Sequence, residues 1–211
     1  MNKQLEIFRN LMFSALCGHF INILYKPPKE GELFFREGSY NVTESFHTTK
    51  PGDSDIQFDG IICLSQYKVV NGKGKVHFRK TIGIEIKTTP HDVERTSIDK
   101  YLGAMPFFFV AAPRELLPCV IFRYKFHPLR KYFGLIDTDS GNIVIMPMEQ
   151  IFEHNRLYNV LAHCYTSVHR YSSYNDTEPF QKARVTQLPE KIDFVSINGL
   201  QVNKEYKDYF I

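Results

Sequence analysis

Two segments decide the fold of this chain: SDIQFDGIICL at residues 54–64 and TIGIEIKTT at residues 81–89. They lie in two strand-like regions, 56–70 and 75–88, where apolar side chains recur as they do on a β-strand. Asn71-Gly72 stands between the two regions, and Asn-Gly between apolar runs is the strongest short-range hairpin signal. We therefore predict an antiparallel hairpin.

The second strand separates apolar from polar side chains, because successive side chains of a strand point to opposite faces. Glu85 and Lys87 share one face, about 7 Å apart along the strand. Asp59 lies near the start of the paired strand, where hairpin twist would bring its carboxylate opposite Glu85. The alternate isoleucines are predicted to face the core: Ile82, Ile84 and Ile86. Two carboxylates and one ammonium should then converge at one edge of the sheet.

This set of side chains suits phosphodiester hydrolysis. Carboxylate oxygens are hard ligands that hold Mg²⁺ or Mn²⁺, and such a metal activates water and stabilises charge on phosphoryl oxygens. A neighbouring lysine can position or deprotonate the water. Asp55 lies on the same strand face as Asp59 and is the alternative first ligand, while Glu6 or Glu44 could supply a further acidic group.

Glu-x-Lys alone has little specificity, because a chain this long should hold about one copy by chance. Glu205-Tyr206-Lys207 is a second copy, in a polar tail without a preceding strand pair. The strand hairpin and Asp59 distinguish the first copy. The alternative reading is that Asp59, Glu85 and Lys87 occupy the solvated face of an amphipathic hairpin.

The segments 59–64 and 84–89 together resemble the core of the PD-(D/E)XK nuclease superfamily. Over roughly residues 40–147 the chain is similar to the MmcB-like DNA-repair branch, in elements that come in the same order: Lys87-Thr88-Thr89, Asp92, Tyr101-Leu102, the phenylalanine-rich stretch 107–113 and Gly134-Leu135-Ile136. The resemblance implies a restriction-endonuclease-like α/β fold, in which helices flank a mixed central sheet. It also implies that Asp59, Glu85 and the Ile86 backbone carbonyl hold Mg²⁺ or Mn²⁺, that Lys87 is the catalytic lysine, and that the role lies in DNA repair or in defence against mobile elements and phage.

The rest of the chain fits an α/β domain. We predict six further elements around the hairpin: helix 3–20, helix 90–102 with Asp92 as its cap, helix 149–171, a buried strand at 106–113, and strands at 132–136 and 142–146. Residues 29–54 are polar and turn-rich. The predicted organisation is a nuclease-like core over residues 1–147, with a C-terminal helix and tail over 148–211 that pack on the same domain or extend from it.

Two basic stretches are candidates for nucleic-acid binding. Lys75, His77 and Arg79 share the parity of Glu85 if the strand is regular, which would place a phosphate-binding track beside the site. The alternative is an edge hairpin kept soluble by charge, and Lys80 indicates a bulge that would break the parity.

The second basic stretch interleaves cations with aromatic residues. Its cations are Arg123, Lys125, Arg130 and Lys131, and Tyr124, Phe126 and Tyr132 stand among them. Aromatic rings can stack on unpaired bases while cations hold the backbone, but they also anchor surface loops. The sequence leaves both readings open.

Composition sets limits on function. The 211 residues carry a net charge of +3, and the four cysteines form no Cys-x-x-Cys pair, which argues against a disulfide framework or a structural zinc site. No apolar run reaches the roughly 18 residues of a membrane span, and we expect a cytoplasmic protein. The expected partner is nucleic acid, DNA rather than RNA, with a homodimer or a partner protein left open. The alternative function is a catalytically inactive nuclease-fold module for nucleic-acid binding or protein interaction.

Overall fold

The computed structural model of the chain describes residues 33–42, 58–70, 73–95, 98–151, 181–184 and 192–211. The predicted helix 3–20 and residues 152–171 of the last predicted helix lie outside the described residues. So do the candidate acidic residues Asp55, Glu6 and Glu44.

In the described part of the chain, one mixed sheet contains nine strands in the order β7-β1-β2-β3-β4-β5-β6-β9-β8. The strands are β1 Leu33–Val42, β2 Gly60–Val70, β3 Lys73–Ile86, β4 Phe107–Ala112, β5 Phe133–Asp137, β6 Ile143–Met146, β7 Gln181–Arg184, β8 Phe194–Ile197 and β9 Leu200–Asn203. The β3–β4 and β4–β5 pairs are parallel, and the other pairs are antiparallel. The α-helices are α1 Pro90–Arg95 and α2 Leu117–Tyr124. Short 3₁₀ helices cover Ile98–Tyr101, Arg114–Leu116, Arg130–Tyr132 and Lys204–Phe210. The predicted α/β class with a mixed sheet is confirmed.

The predicted hairpin is present as the antiparallel β2–β3 pair, in which Gly60 lies opposite Ile84. The predicted strands 106–113, 132–136 and 142–146 correspond to β4, β5 and β6. The turn-rich reading of 29–54 was wrong for Leu33–Val42, because this segment pairs along its whole length with β2. Backbone pairing to a neighbour gives it a strand conformation that its own side-chain pattern does not indicate.

A second hairpin, β8–β9, was missed although its turn carries the same Asn-Gly signal. Asn198 and Gly199 both have positive φ, 51° and 79°, which suits the two central positions of a type I′ turn. The strands on either side contain only four residues each, too few for alternation to be clear. β9 pairs with β6, so residues near the C-terminus of the described chain belong to the same sheet as the predicted core.

Helix α1 is shorter than predicted and is capped by a different residue. It ends at Arg95 rather than near 102, and a 3₁₀ helix follows at Ile98–Tyr101. Thr89 accepts a hydrogen bond from the backbone N–H of Asp92 (3.2 Å), and its hydroxyl donates to the Asp92 carboxylate (2.7 Å). Thr89 is thus the N-cap, and Asp92 is the third helical residue that Thr89 caps, not the cap itself.

Both faces of the central strands are buried. Ile82 and Ile84 are fully buried, as predicted. On the other face, parallel register places Glu85 beside Val110 of β4, and Val110 beside Leu135 of β5. This face is covered by a cluster that includes Tyr101 and residues of α2: Leu117, Val120, Ile121 and Tyr124. The candidate site therefore lies at the margin of a helix-covered sheet face.

Candidate active site

Asp59 is held at the end of β3 by the packing of Phe58 and by two hydrogen bonds to the β3 backbone. Phe58 is fully buried, with its ring 5.2 Å from that of Tyr101, and it occupies the space above Gly83 that any Cβ there would fill. The Asp59 N–H donates to the Ile84 carbonyl (3.0 Å), and the Ile86 N–H donates to Asp59 Oδ2 (2.7 Å). The predicted approach of Asp59 to the Glu85 strand is present.

Glu85 and Lys87 form a buried ion pair at the end of the same strand. Lys87 Nζ lies 2.7 Å from Glu85 Oε1, and the two residues are only 6% and 9% exposed. The backbone N–H of Lys87 donates to the Ala111 carbonyl (2.8 Å), which fixes the strand end against β4. The alternative of a solvated polar face is therefore wrong for these two residues.

The charges at this site interact. Burial, followed by the negative charge of Glu85, raises the pKa of Asp59 to about 6, against the lowering effects of the Ile86 N–H, Lys87 and Lys100. The pKa of the carboxyl group is raised although a hydrogen bond and two cations favour its ionised form. Asp59 and Glu85 thus repel each other in a poorly solvated place, and an added cation would relieve this repulsion.

Polar atoms without partners surround Glu85. Within the described chain, Glu85 Oε2 and the hydroxyls of Tyr101 and Tyr124 are buried and make no hydrogen bond. Burial raises the pKa of Tyr101, and the negative charge of Glu85 raises it further. The Tyr101 hydroxyl and the Glu85 carboxylate nevertheless do not have the geometry of a hydrogen bond. Burial also raises the pKa of Tyr124 to about 12; Arg123 opposes this rise and Glu85 adds to it. Each such orphaned atom costs roughly 1–3 kcal/mol.

The described residues offer three oxygen donors to a cation. Two are the carboxylates of Asp59 and Glu85. The third is the Ile86 carbonyl, because the N–H and C=O of one strand residue point to the same side, and the Ile86 N–H faces Asp59. Hard oxygen donors and an orphaned buried carboxylate oxygen fit Mg²⁺ or Mn²⁺. Among the described residues, no group of three or more His, Cys, Asp or Glu is placed to bind a metal.

The predicted basic track along β3 requires a regular strand, and β3 has an irregularity within the track. Arg79 lies opposite Ser65 and Lys75 opposite Lys68, with a register shift at the intervening His77. Ser65 and Lys68 are three residues apart on β2, so positions 75 and 79 fall on opposite faces of the sheet. Phosphate binding by these residues stays a prediction.

In the stretch that interleaves aromatic and basic residues, some aromatic rings are buried and others are exposed. Tyr124 is buried in the core, whereas Phe122 and Phe126 are 71% and 75% exposed. Lys125 Nζ lies 5.6 Å from the Phe122 ring centroid and 4.9 Å from that of Phe126. Arg130 donates to the Asn198 carbonyl (3.2 Å). The other predicted nucleic-acid contacts in this stretch, Arg123 and Lys131, are exposed, and Lys131 lies over the Tyr132 ring.

Sequence reasoning missed a second buried carboxylate, Asp137, at the end of β5. It accepts hydrogen bonds from Arg114 Nε and Nη2 (2.9 and 2.8 Å), from the Tyr206 hydroxyl (2.8 Å) and from the Asp139 N–H (2.9 Å). Burial alone would raise the pKa of Asp137, but these bonds outweigh it and hold the pKa below its ordinary value. Tyr206 is the central residue of the second Glu-x-Lys copy, which gave no sign of this contact.

Among the described residues, no helix has the length and apolar character needed to cross a bilayer. Comparisons with protein-family models, with curated proteins and with solved structures found no match to this chain.

Proposed function

We propose that this chain is a metal-dependent nuclease of restriction-endonuclease-like fold that hydrolyses phosphodiester bonds of DNA, in DNA repair or in defence against mobile elements and phage. One observation carries the proposal. Glu85 is a buried carboxylate with one oxygen on Lys87 and the other without a partner in the described chain, next to a second carboxylate whose pKa is raised to about 6.

A purely structural role explains this arrangement poorly. A buried ion pair gains little net stability, because desolvation of both groups offsets their attraction. The approach of Asp59 and the orphaned Oε2 add further cost. A carboxyl group whose pKa is raised by burial and by a neighbouring carboxylate, as at Asp59, is typical of functional sites.

Asp59, Glu85 and the Ile86 carbonyl are the proposed holders of Mg²⁺ or Mn²⁺. The bound ion would lower the pKa of a water molecule and stabilise negative charge on the phosphoryl oxygens. Phe58 and the Ile86 N–H keep the Asp59 carboxylate in place before the ion arrives. The site is thus organised in advance by the fold, which lowers the cost of ordering it around a substrate.

Lys87 is the proposed catalytic lysine. One of its three ammonium hydrogens is directed to Glu85 Oε1, which leaves donors for a water molecule or a phosphate oxygen. Burial beside a carboxylate holds the side chain in one orientation. Lys87 can therefore orient the attacking water towards the phosphorus atom.

A second candidate is a nuclease-fold module that binds nucleic acid or a protein partner without catalysis. The observation in its favour is that the described residues provide only two carboxylates at the site. Metal binding separates the two candidates: the nuclease should bind Mn²⁺ in a manner that depends on Asp59 and Glu85, and the inactive module should not.

The test is incubation of the full chain with single-stranded and duplex DNA in the presence of Mg²⁺ or Mn²⁺. Glu85→Gln and Lys87→Gln should each lower the cleavage rate by about 10²–10⁴-fold, the usual contribution of such a group. The matched controls are Glu205→Gln and Lys207→Gln in the second Glu-x-Lys copy, which should cleave like the wild type. Cleavage that persists unchanged in Glu85→Gln would contradict the assignment of the site.

A further inference from the structure

The surface at the end of α2 carries two large aromatic side chains that are mostly exposed. Phe122 and Phe126 are 71% and 75% exposed, whereas Tyr124 and Phe133 of the same stretch are buried and supply its anchoring. The reading of the stretch as loop anchoring therefore applies to Tyr124 and not to the two exposed rings. Large exposed apolar side chains that lie together mark an interaction site.

The charge around these rings is strongly one-sided. Residues 116–136 contain four Lys or Arg and no Asp or Glu, a charge of +4, while the whole chain carries only +3. The remaining residues together therefore carry −1. The cations of this stretch are Arg123, Lys125, Arg130 and Lys131, of which all but Arg130 are exposed. Asp99 is the described acidic residue that reaches the stretch, through His127 (3.2 Å).

The ammonium group of Lys125 lies beside both exposed rings. Its Nζ lies within 6 Å of both ring centroids, 5.6 Å for Phe122 and 4.9 Å for Phe126. Phe122 lies in the last turn of α2 and Phe126 lies two residues beyond its end, so the two rings stand on either side of Lys125 in the chain. Two exposed rings and one ammonium therefore lie together, which places apolar ring surface and a phosphate partner side by side.

We propose that Phe122, Lys125 and Phe126 form a stacking site for unpaired nucleobases, so that the DNA bound by this protein is single-stranded. Every base has a π-face, and stacking on an aromatic side chain needs a base released from its duplex partner. Arg123 and Lys125 then neutralise the phosphates that flank the stacked bases. That this strand is also the substrate rests on the proposed nuclease function; the binding site does not.

The experiment measures fluorescence anisotropy of labelled oligo(dT), free and annealed to oligo(dA), with the full chain in EDTA. Single-stranded oligo(dT) should bind more tightly than the duplex. Phe122→Ala/Phe126→Ala should weaken single-strand binding at least about 30-fold, since each stacked base contributes about 1 kcal/mol or more. Phe122→Tyr/Phe126→Tyr should retain most of the affinity, because tyrosine also stacks.

Met148→Ala is the matched control, since Met148 is an exposed apolar residue outside the stretch. It should bind oligo(dT) like the wild type. Wild-type affinity in the double alanine variant would overturn the proposal, as would equal affinity for single strand and duplex in the wild type. Sedimentation tests whether a second copy of the chain binds this surface instead. Self-association that the double alanine variant abolishes, without loss of DNA binding, would assign the surface to a protein interface.

The assay distinguishes this proposal from the proposed function because it needs neither metal nor catalysis. A protein that binds single strands through the two phenylalanines but never cleaves DNA would contradict the nuclease alone. Cleavage that is insensitive to the double alanine variant would contradict the stacked strand as the substrate and would leave the nuclease proposal intact.

Discussion

Two buried carboxylates lie on the same face of the sheet, at the carboxyl ends of β3 and β5, with β4 between them. Asp137 accepts hydrogen bonds from Arg114, Tyr206 and the Asp139 N–H. Glu85 accepts one, from Lys87, and its second oxygen has no partner among the described residues.

The difference shows how this fold treats carboxylates that it uses for stability. Charge-assisted hydrogen bonds compensate Asp137 for the loss of water, and its pKa is held below the ordinary value. At Glu85 the compensation is incomplete, and the neighbouring Asp59 has its pKa raised to about 6. An incompletely satisfied carboxylate beside a second one with a raised pKa is typical of a ligand-binding position, which is what the proposed function requires.

The largest expected effect is on the Asp137 side of this comparison. Asp137→Ala removes every hydrogen bond to a fully buried carboxylate and should lower the free energy of unfolding by about 2–4 kcal/mol. Urea unfolding at pH 7 measures this loss. Asp208→Ala, an exposed carboxylate on the 3₁₀ helix that carries Tyr206, should change stability by less than about 0.5 kcal/mol.

Acid should remove the same stabilisation. The pKa of Asp137 is lowered in the folded state, so its contribution is present above the ordinary carboxyl pKa of about 4 and is lost as the pH falls through the folded pKa below that value. The difference between wild type and Asp137→Ala should therefore shrink below about pH 4. A difference that stays constant into strong acid would show that packing, not charge, stabilises this region.

An intermediate effect of opposite sign is expected at Asp59. Its folded pKa is raised to about 6, so the folded protein loses stability as the pH rises from about 4 to 6, where the unfolded chain is already ionised. Asp59→Asn keeps an oxygen acceptor for the Ile86 N–H without the charge. In EDTA at pH 8 it should be about 1–2 kcal/mol more stable than the wild type, after allowance for partial solvent screening.

The advantage of Asp59→Asn should disappear near pH 4, and denaturant unfolding at the two pH values measures it. Asp208→Asn is the control and should show no such pH dependence. A less stable Asp59→Asn at pH 8 would mean that the Asp59 charge stabilises the metal-free fold, which would remove the contrast with Asp137.

The sequence predicts the region around Glu85 better than the region around Asp137. Alternation around Glu85 and Lys87, together with the Asn71-Gly72 turn signal, predicts the hairpin and the approach of Asp59. Alternation cannot show that the polar face is buried, because the cover comes from α2, more than 30 residues along the chain. The Asp137 contact is still less local: Tyr206 follows 69 residues later, in a segment without a clear periodic pattern.

The smallest expected effect is a change in stability whose sign differs between two tyrosine variants. Tyr101→Phe removes a buried hydroxyl that has no hydrogen-bond partner in the described chain but keeps the ring, which stacks on Phe108 at 4.5 Å. It should leave the free energy of unfolding unchanged or raise it by up to about 1 kcal/mol. Tyr206→Phe makes the same chemical change at a hydroxyl that bonds to Asp137 and Ser140, and should lower it by about 1–2 kcal/mol. Thermal and urea unfolding of the two variants compare the regions directly, because identical substitutions should shift stability in different directions. Equal losses would mean that the Tyr101 hydroxyl is satisfied in solution, and that the surroundings of Glu85 are no less complete than those of Asp137.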